Sequence, residues 1–534
     1  MQLKNAAALT VFGAVVAFSI SAPALAQIAF EDRTDEIKHQ YLGGWSHFVG
    51  GGVAVFDCNH DGFPEVFLAG GEAPSLLLAN NTGSMGGELS FAPRSDFAFD
   101  LEGATGAYPI NIDNDAFIDL VVLRVGDNKL LRGIGECLFE EASNLLPDVP
   151  ARWTTAFSAT WETNQSRPTL AFGNYVDQSA EDGPFGACDK NVLMRPKGNV
   201  YGEAIELEPG YCPLSILFSD WNRSGKQDLR ISNDRHYYLF DGQEQLFSLE
   251  ADGVRSYAAE DGWQNHKIWG MGIASRDLNF DGRPEIYLTS MGDQKLHQLA
   301  DDAKGPTYED AKFERGISAH QPFVGDDGRP STGWHAQFGD VQNDGMDDIF
   351  VAKGNVDQMM SAAMKDPNNL LVQKADGHFE EVAHLAGLTD FERSRGAALV
   401  DLNMDGALDL VVNNRRANAK IYQNVTKGLG NWVSLKVKQD TSNVDAIGAW
   451  IELDIDGKIY ARELTIGGGH AGGQIVPEHF GVNAAEVAKV RIIWPDGAIS
   501  DWQEIIANTH YVAQRDGDQI RLNNVVASEV ASSN

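Results

Sequence analysis

The sequence predicts an all-β protein: a seven-bladed β-propeller followed by a small C-terminal β-sandwich-like domain. Three observations predict this fold. An acidic phrase of constant spacing recurs between residues 51 and 412, a short apolar strand-like run follows each copy, and alternating apolar and polar residues replace the phrase after residue 426. Recurring units of this kind are the sequence signature of propellers, in which each unit is one small sheet.

The repeat appears six times in clear form and once in worn form. The worn copy, WETNQSRPTLAFGNY at 161–175, keeps the turn length but has lost most of its carboxylates. The copies lie about 50 to 63 residues apart, which suits four short strands with their turns. A solenoid is the rival architecture, but typical solenoid periods are shorter. The first loop positions of the clear copies are Asp57, Asn111, Asp220, Asp277, Asp340 and Asp401.

Each unit follows a common order of strands. A glycine-rich first strand, as at 50–52, suits a crowded central channel. The last strand often opens with Phe-Glu, as at Phe139, Phe313 and Phe379. The mature N-terminus carries the same signal at Phe30, whereas the seventh unit lacks it. We therefore expect residues 29–33 to complete the seventh blade and to remove an exposed sheet edge.

The acidic loops read D-x-[DN]-x-[DN]-G-x-x-[DE], which predicts calcium sites. A tight turn brings side chains one, three, five and nine and the carbonyl of position seven to one point, and such hard oxygen ligands suit Ca²⁺. Glycine at position six allows positive φ, so Ala116 in the second loop predicts strain there. The predicted ligands are Asp57, Asn59, Asp61, Phe63 and Glu65; Asn111, Asp113, Asp115, Phe117 and Asp119; Asp220, Asn222, Ser224, Lys226 and Asp228; Asp277, Asn279, Asp281, Arg283 and Glu285; Asp340, Gln342, Asp344, Met346 and Asp348; and Asp401, Asn403, Asp405, Ala407 and Asp409.

Two other interpretations of these loops were weighed. An EF-hand needs a bidentate Glu at position twelve and flanking helices, but position twelve is Leu68, Leu288, Val351 or Val412 inside a strand-like run. A single such loop can also be an acidic turn without metal. Six copies in register favour about five or six structural calcium ions, with the loops at 161–169 and 220–228 the doubtful ones.

The ends of the chain predict export. Lys4, an apolar run and Ala24-Leu25-Ala26 indicate a signal peptide over residues 1–26, since a membrane anchor needs a longer apolar stretch. We expect the propeller over 27–425, the second domain over 426–525 and a disordered tail over 526–534. The mature protein should be periplasmic or extracellular. Its net charge of −34 disfavours nucleic acid and anionic membranes as partners, and no segment suits membrane insertion.

Four cysteines permit two disulfides in an exported chain, with three possible pairings. Cys188 with Cys212 is the favoured local pair. Free buried thiols are the alternative. No CxxC pair indicates zinc or redox chemistry.

The chain resembles proteins with FG-GAP or VCBS-type repeats and a C-terminal ASPIC/UnbV domain, the cartilage acidic protein-like family. The C-terminal resemblance is carried by Ser442-Asn443, Gly448-Ala449, Gly467–Gly469 with His470, Gln474, His479-Phe480-Gly481 and Trp494–Gly497. The resemblance covers about residues 28–525. It implies an integrin-like propeller with calcium loops in an extracellular or periplasmic protein, often one of adhesion or matrix, and it brings no general catalytic residue set.

Propellers usually bind ligands at the mouth of the central channel, where the first strands begin. The candidate ligand-binding residues there are His47, Tyr108, Trp269, Trp334, His335 and Arg395, with packing between blades as the alternative for each. His470 in its glycine-rich loop either touches a ligand or caps a turn, and the glycines at 467–469 and 472–473 are expected to break the second domain into turns.

The sequence favours a binding or adhesion module for a glycan or an extracellular protein. It contains no GxSxG elbow, HExxH motif or P-loop, and many carboxylates belong to the metal loops. The alternative is a polysaccharide lyase or hydrolase with His335 and His47 as acid–base groups. A third possibility is an assembly partner that acts through the C-terminal domain.

Overall fold

A computed structural model describes residues 27–34, 37–94, 101–163, 165–181, 187–234, 241–251, 253–317 and 328–525. Within these ranges the protein is nearly all β, with 39 strands and four 3₁₀ turns. The expected signal peptide and C-terminal tail lie outside the described residues. None of the described helices has the length and apolar character needed to cross a membrane.

Seven antiparallel sheets come first along the chain, in the order of the seven repeats. The first three contain β2 (Val53–Phe56), β3 (Glu65–Leu68), β4 (Leu76–Asn80) and β5 (Phe91–Pro93); β6 (Ala104–Ile110), β7 (Asp119–Gly126), β8 (Lys129–Gly133) and β9 (Phe139–Glu141); and β10 (Arg152–Thr160), β11 (Thr169–Asn174), β12 (Asn191–Met194) and β15 (Ile205–Leu207). A hairpin of β13 (Pro196–Lys197) and β14 (Val200–Tyr201) interrupts the third. The second and third sheets are also joined where β7 pairs with β10.

The next four sheets repeat this plan. They contain β16 (Pro213–Ser219), β17 (Asp228–Asn233), β18 (Gln245–Glu250) and β19 (Gly253–Ser256); β20 (Gly270–Arg276), β21 (Glu285–Ser290), β22 (Lys295–Leu299) and β23 (Tyr308–Asp310); β24 (Gly333–Gly339), β25 (Asp348–Lys353), β26 (Asn369–Gln373) and β27 (Phe379–Glu381); and β28 (Arg393–Val400), β29 (Asp409–Arg415) and β30 (Lys420–Asn424) with β1 (Phe30–Asp32).

The seventh sheet is completed by the N-terminal strand. Phe30 pairs with Asn424 and Asp32 with Tyr422 in antiparallel register. The sequence-based prediction that residues 29–33 supply the missing strand is confirmed. The last and the first repeats are thereby tied together by backbone hydrogen bonds.

The 3₁₀ turns lie at Trp45–His47, Ser143–Leu145, Ala259–Asp261 and Phe313–Arg315. The last of these corrects one prediction, because Phe313 does not open a strand. Its ring is largely exposed, and the last strand of the fifth sheet is Tyr308–Asp310 instead. Tyr308 fills the buried position that Phe30, Phe91 and Phe379 fill in other sheets.

Apolar side chains between the sheets form one cluster for each neighbouring pair. The clusters join sheets one and two, two and three, and so on to six and seven, and a further cluster joins seven to one. The first strands β2, β6, β10, β16, β20, β24 and β28 contact one another in the same cyclic order. The order of sheet contacts therefore returns to its starting point.

Two further sheets follow and share a core of their own. The eighth contains β35 (Glu478–Asn483), β31 (Asn431–Lys438), β38 (Thr509–Asp516) and β39 (Gln519–Asn524), and the ninth contains β33 (Lys458–Glu463), β32 (Trp450–Ile455), β36 (Val487–Ile493) and β37 (Gln503–Ile506). Val433, Ile451, Phe480 and Val490 meet between them. This pair of sheets packs against the acidic loops. The backbone N–H of Asp220 donates to the Glu463 carboxylate at 2.8 Å, and His479 Nε2 lies 2.7 Å from the Asn343 side-chain oxygen.

All four cysteines form disulfides. Cys188 pairs with Cys212 and Cys58 with Cys137, so the favoured local pairing is confirmed. The Cys58–Cys137 bridge joins the first acidic loop to the second sheet. Two disulfides are typical of proteins that fold in an oxidising compartment.

Candidate functional site

The acidic loops connect the first and second strands of the sheets. We number them one to seven: 57–65, 111–119, 161–169, 220–228, 277–285, 340–348 and 401–409. In every loop except the third, position nine is a carboxylate and is also the first residue of the second strand. The loop is thereby fixed at both ends by sheet hydrogen bonds.

Position one accepts a hydrogen bond from the backbone of position six in the five loops that have glycine there. The N–H group of Gly345 donates to Asp340 at 2.7 Å and that of Gly406 to Asp401 at 2.8 Å; Gly62, Gly225 and Gly282 make the same bond at 2.8–3.2 Å. All five glycines have φ between 78° and 92°. The predicted need for positive φ at this position is confirmed.

Loop two departs from this pattern without the predicted strain. Ala116 is absent from the described non-glycine residues that have positive φ, whereas Asn114 is among them with φ of 66°. The prediction of strain at Ala116 was therefore wrong. Asn111 at position one holds the turn differently, since its amide donates to the Asp115 carbonyl and its oxygen accepts from the Asn114 N–H.

A second positive-φ position escaped the sequence reasoning. Position four is left-handed in all six acidic loops, at φ of 57–66°. None of these residues is glycine, so each turn holds an L residue in a conformation that costs energy. The positions are His60, Asn114, Arg223, Phe280, Asn343 and Met404. Their varied side chains left no signal for a sequence pattern to detect.

Positions five and nine bind backbone N–H groups. The position-five carboxylate accepts from position seven in five loops, for example Met346 to Asp344 at 3.0 Å. Position nine accepts from position two, for example Val341 to Asp348 at 3.0 Å. In loop four, Asp228 instead accepts from the Trp221 indole and the Tyr257 hydroxyl. The carboxylates thus have one shared geometry, with loop four as the variant.

Burial makes these carboxylates electrostatically costly. It raises the pKa of Glu65 and of Asp340 to about 8, and the pKa of Asp277 and of Asp401 to about 7. Nearby carboxylates add to the rise, as Asp344 does for Asp340. Loss of water and like-charge crowding both disfavour the ionised form. A cation at the loops would reverse both penalties.

Unpaired oxygens show that the residues fit such a cation. Buried oxygens of Asp57 (Oδ1), Glu65 (Oε1) and Asp277 (Oδ1) have no hydrogen-bond partner among the described residues. Oxygen atoms of carboxylates and amides are the ligands that Ca²⁺ prefers. Loops one and five therefore have free ligand atoms of the correct type.

One other group of metal-ligating side chains was tested. Among the described residues, Cys58, Glu65 and Cys137 are the three such side chains whose ligand atoms lie within 4.8 Å of one another. Both cysteines are in a disulfide, so their sulfurs are not thiolate ligands. This cluster is excluded as a metal site, and among the described residues no three carboxylates of one loop lie within this limit of one another.

Loop three replaces the missing carboxylates with an internal ion pair. The guanidinium of Arg195 donates to both oxygens of Glu162, at 2.7 and 2.9 Å. Thr169, at position nine, donates to the same carboxylate at 2.6 Å. The sequence predicted that loop three is a doubtful calcium site. The ion pair agrees with that prediction, because Arg195 already neutralises Glu162.

The centre of the seven sheets holds a segment from the C-terminal part of the chain. Residues 465–475, which we call the central segment, make backbone bridges to the first strands of sheets one to five: Val55 with Gln474, Ala107 with Gly472, Ala159 with Ile466, Leu217 with Gly467, and Ile273 with Gly469. Its last residues, Gln474–Ile475, form β34 beside β2. The glycines at 467–469 and 472–473 were expected to form turns within the second domain. They belong instead to a segment that extends from that domain to the first strands of sheets one to five.

The small residues of the first strands admit this segment. A methyl group added at Gly52 or Gly106 would overlap the Ala471 carbonyl oxygen, and one added at Gly472 would overlap Val53. The sequence had indicated a crowded channel at the glycine-rich first strands, such as residues 50–52. The structure shows that backbone of the same chain crowds it.

His470 lies fully buried in the central segment. The backbone N–H of His470 donates to His335 Nδ1 at 3.1 Å. In its ring, Nε2 accepts from the Gly50 N–H at 3.1 Å and Nδ1 lies 2.9 Å from the Met271 carbonyl oxygen. Burial lowers the pKa of His470 to about 3, so the ring is neutral at physiological pH. The ring contacts the backbone at Gly50 and Met271, and the backbone N–H of His470 adds the contact with His335.

The six candidate ligand residues make internal contacts. Tyr108 donates to the Gly468 carbonyl, His335 accepts from His470, and the Arg395 guanidinium lies 4.0 Å from the centre of the Trp334 ring. Arg395 also donates to the Phe48 carbonyl at 2.9 Å. His47 is buried 3.6 Å from Glu72, and Trp269 is half-buried. These placements favour the packing alternative for the five buried residues.

An aromatic surface lies beside this cluster. Trp45 stacks at 4.8 Å on Phe48, whose ring contacts Trp153 and Tyr175 at 5.8 Å. The Trp45 side chain is 43% exposed, whereas Trp153 and Tyr175 are buried. The sequence reasoning missed this surface, although the run Trp45-Ser46-His47-Phe48 just before the first repeat was a usable signal.

Comparison with protein-family models identifies two parts of the chain. Residues 340–412 match the FG-GAP-like repeat and residues 439–520 match the ASPIC and UnbV family. Mouse (Mus musculus) cartilage acidic protein 1 is 23% identical over 476 residues, which cover 84% of this chain and 70% of that protein. The human (Homo sapiens) protein is 24% identical over 485 residues, covering 84% and 69%. The resemblance drawn from the sequence is confirmed in both parts.

Solved structures show weaker likenesses. BBS1N, in a crystal structure with ARL6DN, has a TM-score of 0.44 and 10% identity, over 75% of this chain and 98% of that one. An Agrocybe aegerita lectin, described as recognising non-reducing terminal N-acetylglucosamine, has a TM-score of 0.36 and 14% identity, over 75% and 94%. Likeness at this level supports no conclusion about fold or function.

Proposed function

We propose that this protein is an exported binding module, a seven-bladed β-propeller whose acidic loops hold structural calcium and whose ligand is a glycan or an extracellular protein. One observation carries the proposal. Loops one, five, six and seven hold their carboxylates by one shared set of hydrogen bonds, and unpaired buried oxygens remain at loops one and five. Built loops of this kind serve to hold a cation.

The propeller architecture is supported by the cyclic order of sheet contacts. Each neighbouring pair of the seven sheets shares an apolar core, and so do sheets seven and one. The N-terminal strand completes the seventh sheet. Closure in this manner leaves no long sheet edge exposed. The export of the chain is supported by the predicted signal peptide and by the two disulfides.

The calcium ligands would be the side chains predicted from the repeat. Loops one, two, five, six and seven each have three carboxylates among the predicted ligands and would bind more tightly than loop four, which has two. A bound Ca²⁺ would supply positive charge to buried carboxylates and link the two strands that flank each loop.

The aromatic surface at Trp45 is the proposed ligand-binding region. The central segment fills the space where a channel ligand would sit, so binding would occur outside it. An exposed indole backed by buried aromatic rings suits stacking on a sugar or contact with a protein hot spot. The lyase or hydrolase alternative gains no support here, because His335 is engaged by His470, and burial lowers the pKa of His335 to about 4.

Two measurements test the proposal. Elemental analysis of the mature protein should find five or six calcium ions per chain, and a metal-free protein would overturn the calcium assignment. The labelled protein should then be screened on glycan and extracellular-protein arrays beside Trp45→Ala. We expect the substitution to weaken the affinity for any ligand found in the screen by about tenfold or more. Phe313→Ala, another exposed ring, is the matched control and should change nothing; equal binding by all three proteins would exclude the Trp45 surface.

A further inference from the structure

The interface between sheets four and five breaks the apolar pattern of the other interfaces. The third residue of each second strand faces the next sheet, and it is uncharged in six sheets: Phe67, Val121, Ala171, Tyr287, Phe350 and Val411. In sheet four it is Arg230. A charged residue therefore occupies a position that the repeat otherwise reserves for packing.

The opposite side of the same interface is also changed. One position on each third strand faces the preceding sheet, and six sheets fill it with Leu78, Leu131, Met194, Phe247, Leu371 or Tyr422. In sheet five it is His297, which pairs with Ile286. Both exceptions thus fall at the one interface between sheets four and five.

The Arg230 guanidinium is enclosed by aromatic rings. Its central carbon lies 4.4 Å from the Tyr308 ring centre and 5.2 Å from that of Trp263. His297 lies beside Tyr308, and His266 stacks against His297 at 4.4 Å. We call Arg230, Trp263, His266, His297 and Tyr308 the Arg230 cluster. Aromatic faces stabilise a cation, but they satisfy none of its N–H groups.

Among the described residues, the edge of this guanidinium has no acceptor in good hydrogen-bonding geometry, although the Tyr308 hydroxyl lies close to it. Arg230 is 3% exposed, and both of its terminal nitrogens lack a hydrogen-bond partner among the described residues. The nearby carboxylate of Glu244 forms no ion pair with it and accepts instead from the Asn233 N–H at 2.8 Å. A buried guanidinium without an acceptor is strongly destabilising, so this arrangement favours the binding of a negative group.

Further donors surround the same space. The Tyr308 hydroxyl and His266 Nε2 are also buried without partners in the described part of the chain. Burial raises the pKa of Tyr308 and the Arg230 charge opposes that rise, which places the hydroxyl near the guanidinium. A guanidinium, a hydroxyl and an imidazole N–H together form a donor set for a small anion.

We propose that the Arg230 cluster binds a small inorganic anion of the size of chloride between sheets four and five. Solvent comes close to the cluster on one side. A surface pocket of about 470 Å³ is lined by Trp221, Tyr257 and Lys304, and the Trp221 ring lies 6.4 Å from that of Tyr308. The bound anion would neutralise Arg230 and fix sheet four against sheet five.

Bromide substitution tests the site directly. Crystals of the mature protein grown in bromide should show an anomalous peak beside the terminal nitrogens of Arg230. Water or empty density there, in bromide that labels other surface sites, would overturn the proposal. This measurement uses the unaltered chain, so it remains decisive even if variants fail to fold.

Thermal unfolding provides the second test, with calcium kept saturating throughout. Replacing gluconate with chloride at equal ionic strength should raise the Tm by about 2 °C or more. Arg230→Met should abolish that rise, and the double variant Arg230→Met with His297→Leu should restore an apolar interface that needs no anion. Arg255→Met removes an exposed arginine from the same sheet and should keep the full rise. A wild-type Tm that does not change with chloride, or an equal rise in Tm in the Arg230→Met variant, would refute the assignment.

Discussion

Loops three and six occupy equivalent places in their sheets but treat negative charge in opposite ways. In loop three one carboxylate, Glu162, is held by Arg195 from the same sheet. In loop six Asp340, Asp344 and Asp348 are crowded together, and no cation of the described residues pairs with these three. Burial raises the pKa of Asp348 well above its usual range, and Asp340 adds to the rise. The comparison teaches that one turn geometry can carry its negative charge with an internal, partly buried ion pair, as in loop three, or without one, as for these three acids of loop six.

Loop two is intermediate between these cases. Arg132 lies 3.3 Å from Asp113 and 3.9 Å from Asp115, but its side chain is 41% exposed. An exposed arginine neutralises a carboxylate poorly because water screens the pair. Loop two therefore retains its acids and has a partial internal counter-charge.

The largest expected effect comes from removing calcium from all loops at once. Chelation should lower the Tm by about 10 °C or more, because several buried carboxylate clusters would lose their cation together. Differential scanning calorimetry before and after chelation measures the change. Calcium should restore the Tm and magnesium should not. An unchanged Tm in a protein shown to be metal-free would remove the contrast between loops three and six.

A substitution in loop six should have the next largest effect. Asp344→Asn keeps an oxygen to accept the Met346 N–H but removes one negative charge from the loop. We expect one calcium ion fewer per chain and a loss of about 3 kcal/mol of stability in saturating calcium. Calcium titration and chemical denaturation provide the two readouts. Full calcium content in this variant would show that loop six does not hold the ion.

The matched change in loop three should be smaller and independent of calcium. Glu162→Gln removes the ion pair with Arg195. The side chains of both residues are about one-fifth exposed. The expected loss is about 1–2 kcal/mol, the same in calcium and in chelator. Denaturation under both conditions measures it. A loss seen only with calcium would mean that loop three also binds the metal.

The smallest effect should come from loop two. Arg132→Ala removes a partial counter-charge and should strengthen calcium binding at this loop by about two- to fivefold. Isothermal titration of the chelated protein, compared at low and high salt, would detect it. Weaker binding in the variant would show that Arg132 supports the loop rather than competing with calcium.

Local spacing explains what the sequence could predict. The acidic loops, the strand that follows each and the glycines at position six are encoded within about ten residues, so one pattern found them. Phe30 could be placed because the seventh repeat lacked its last strand. Cys188 and Cys212 are 24 residues apart and were paired for that reason.

Long-range contacts explain what it could not. His470 contacts His335 and Gly50, which are 135 and 420 residues away, and no local pattern relates them. The glycines around His470 carried a signal for close approach, but turns within one domain explained them equally well. Arg195 was equally hidden, because its role depends on how the third strand meets a loop more than 30 residues earlier.

The strand that completes the seventh sheet pairs with residues that are made much later during synthesis. Ala29 and Thr426 are hydrogen-bonded although 397 residues separate them. At synthesis rates of about 5–20 residues per second, the ribosome needs roughly 20–80 s to deliver the second partner after the first. During that interval the N-terminal segment has no sheet to join, and the central segment has not yet been made. The seventh sheet can therefore be completed only after the chain has been made at least to residue 426.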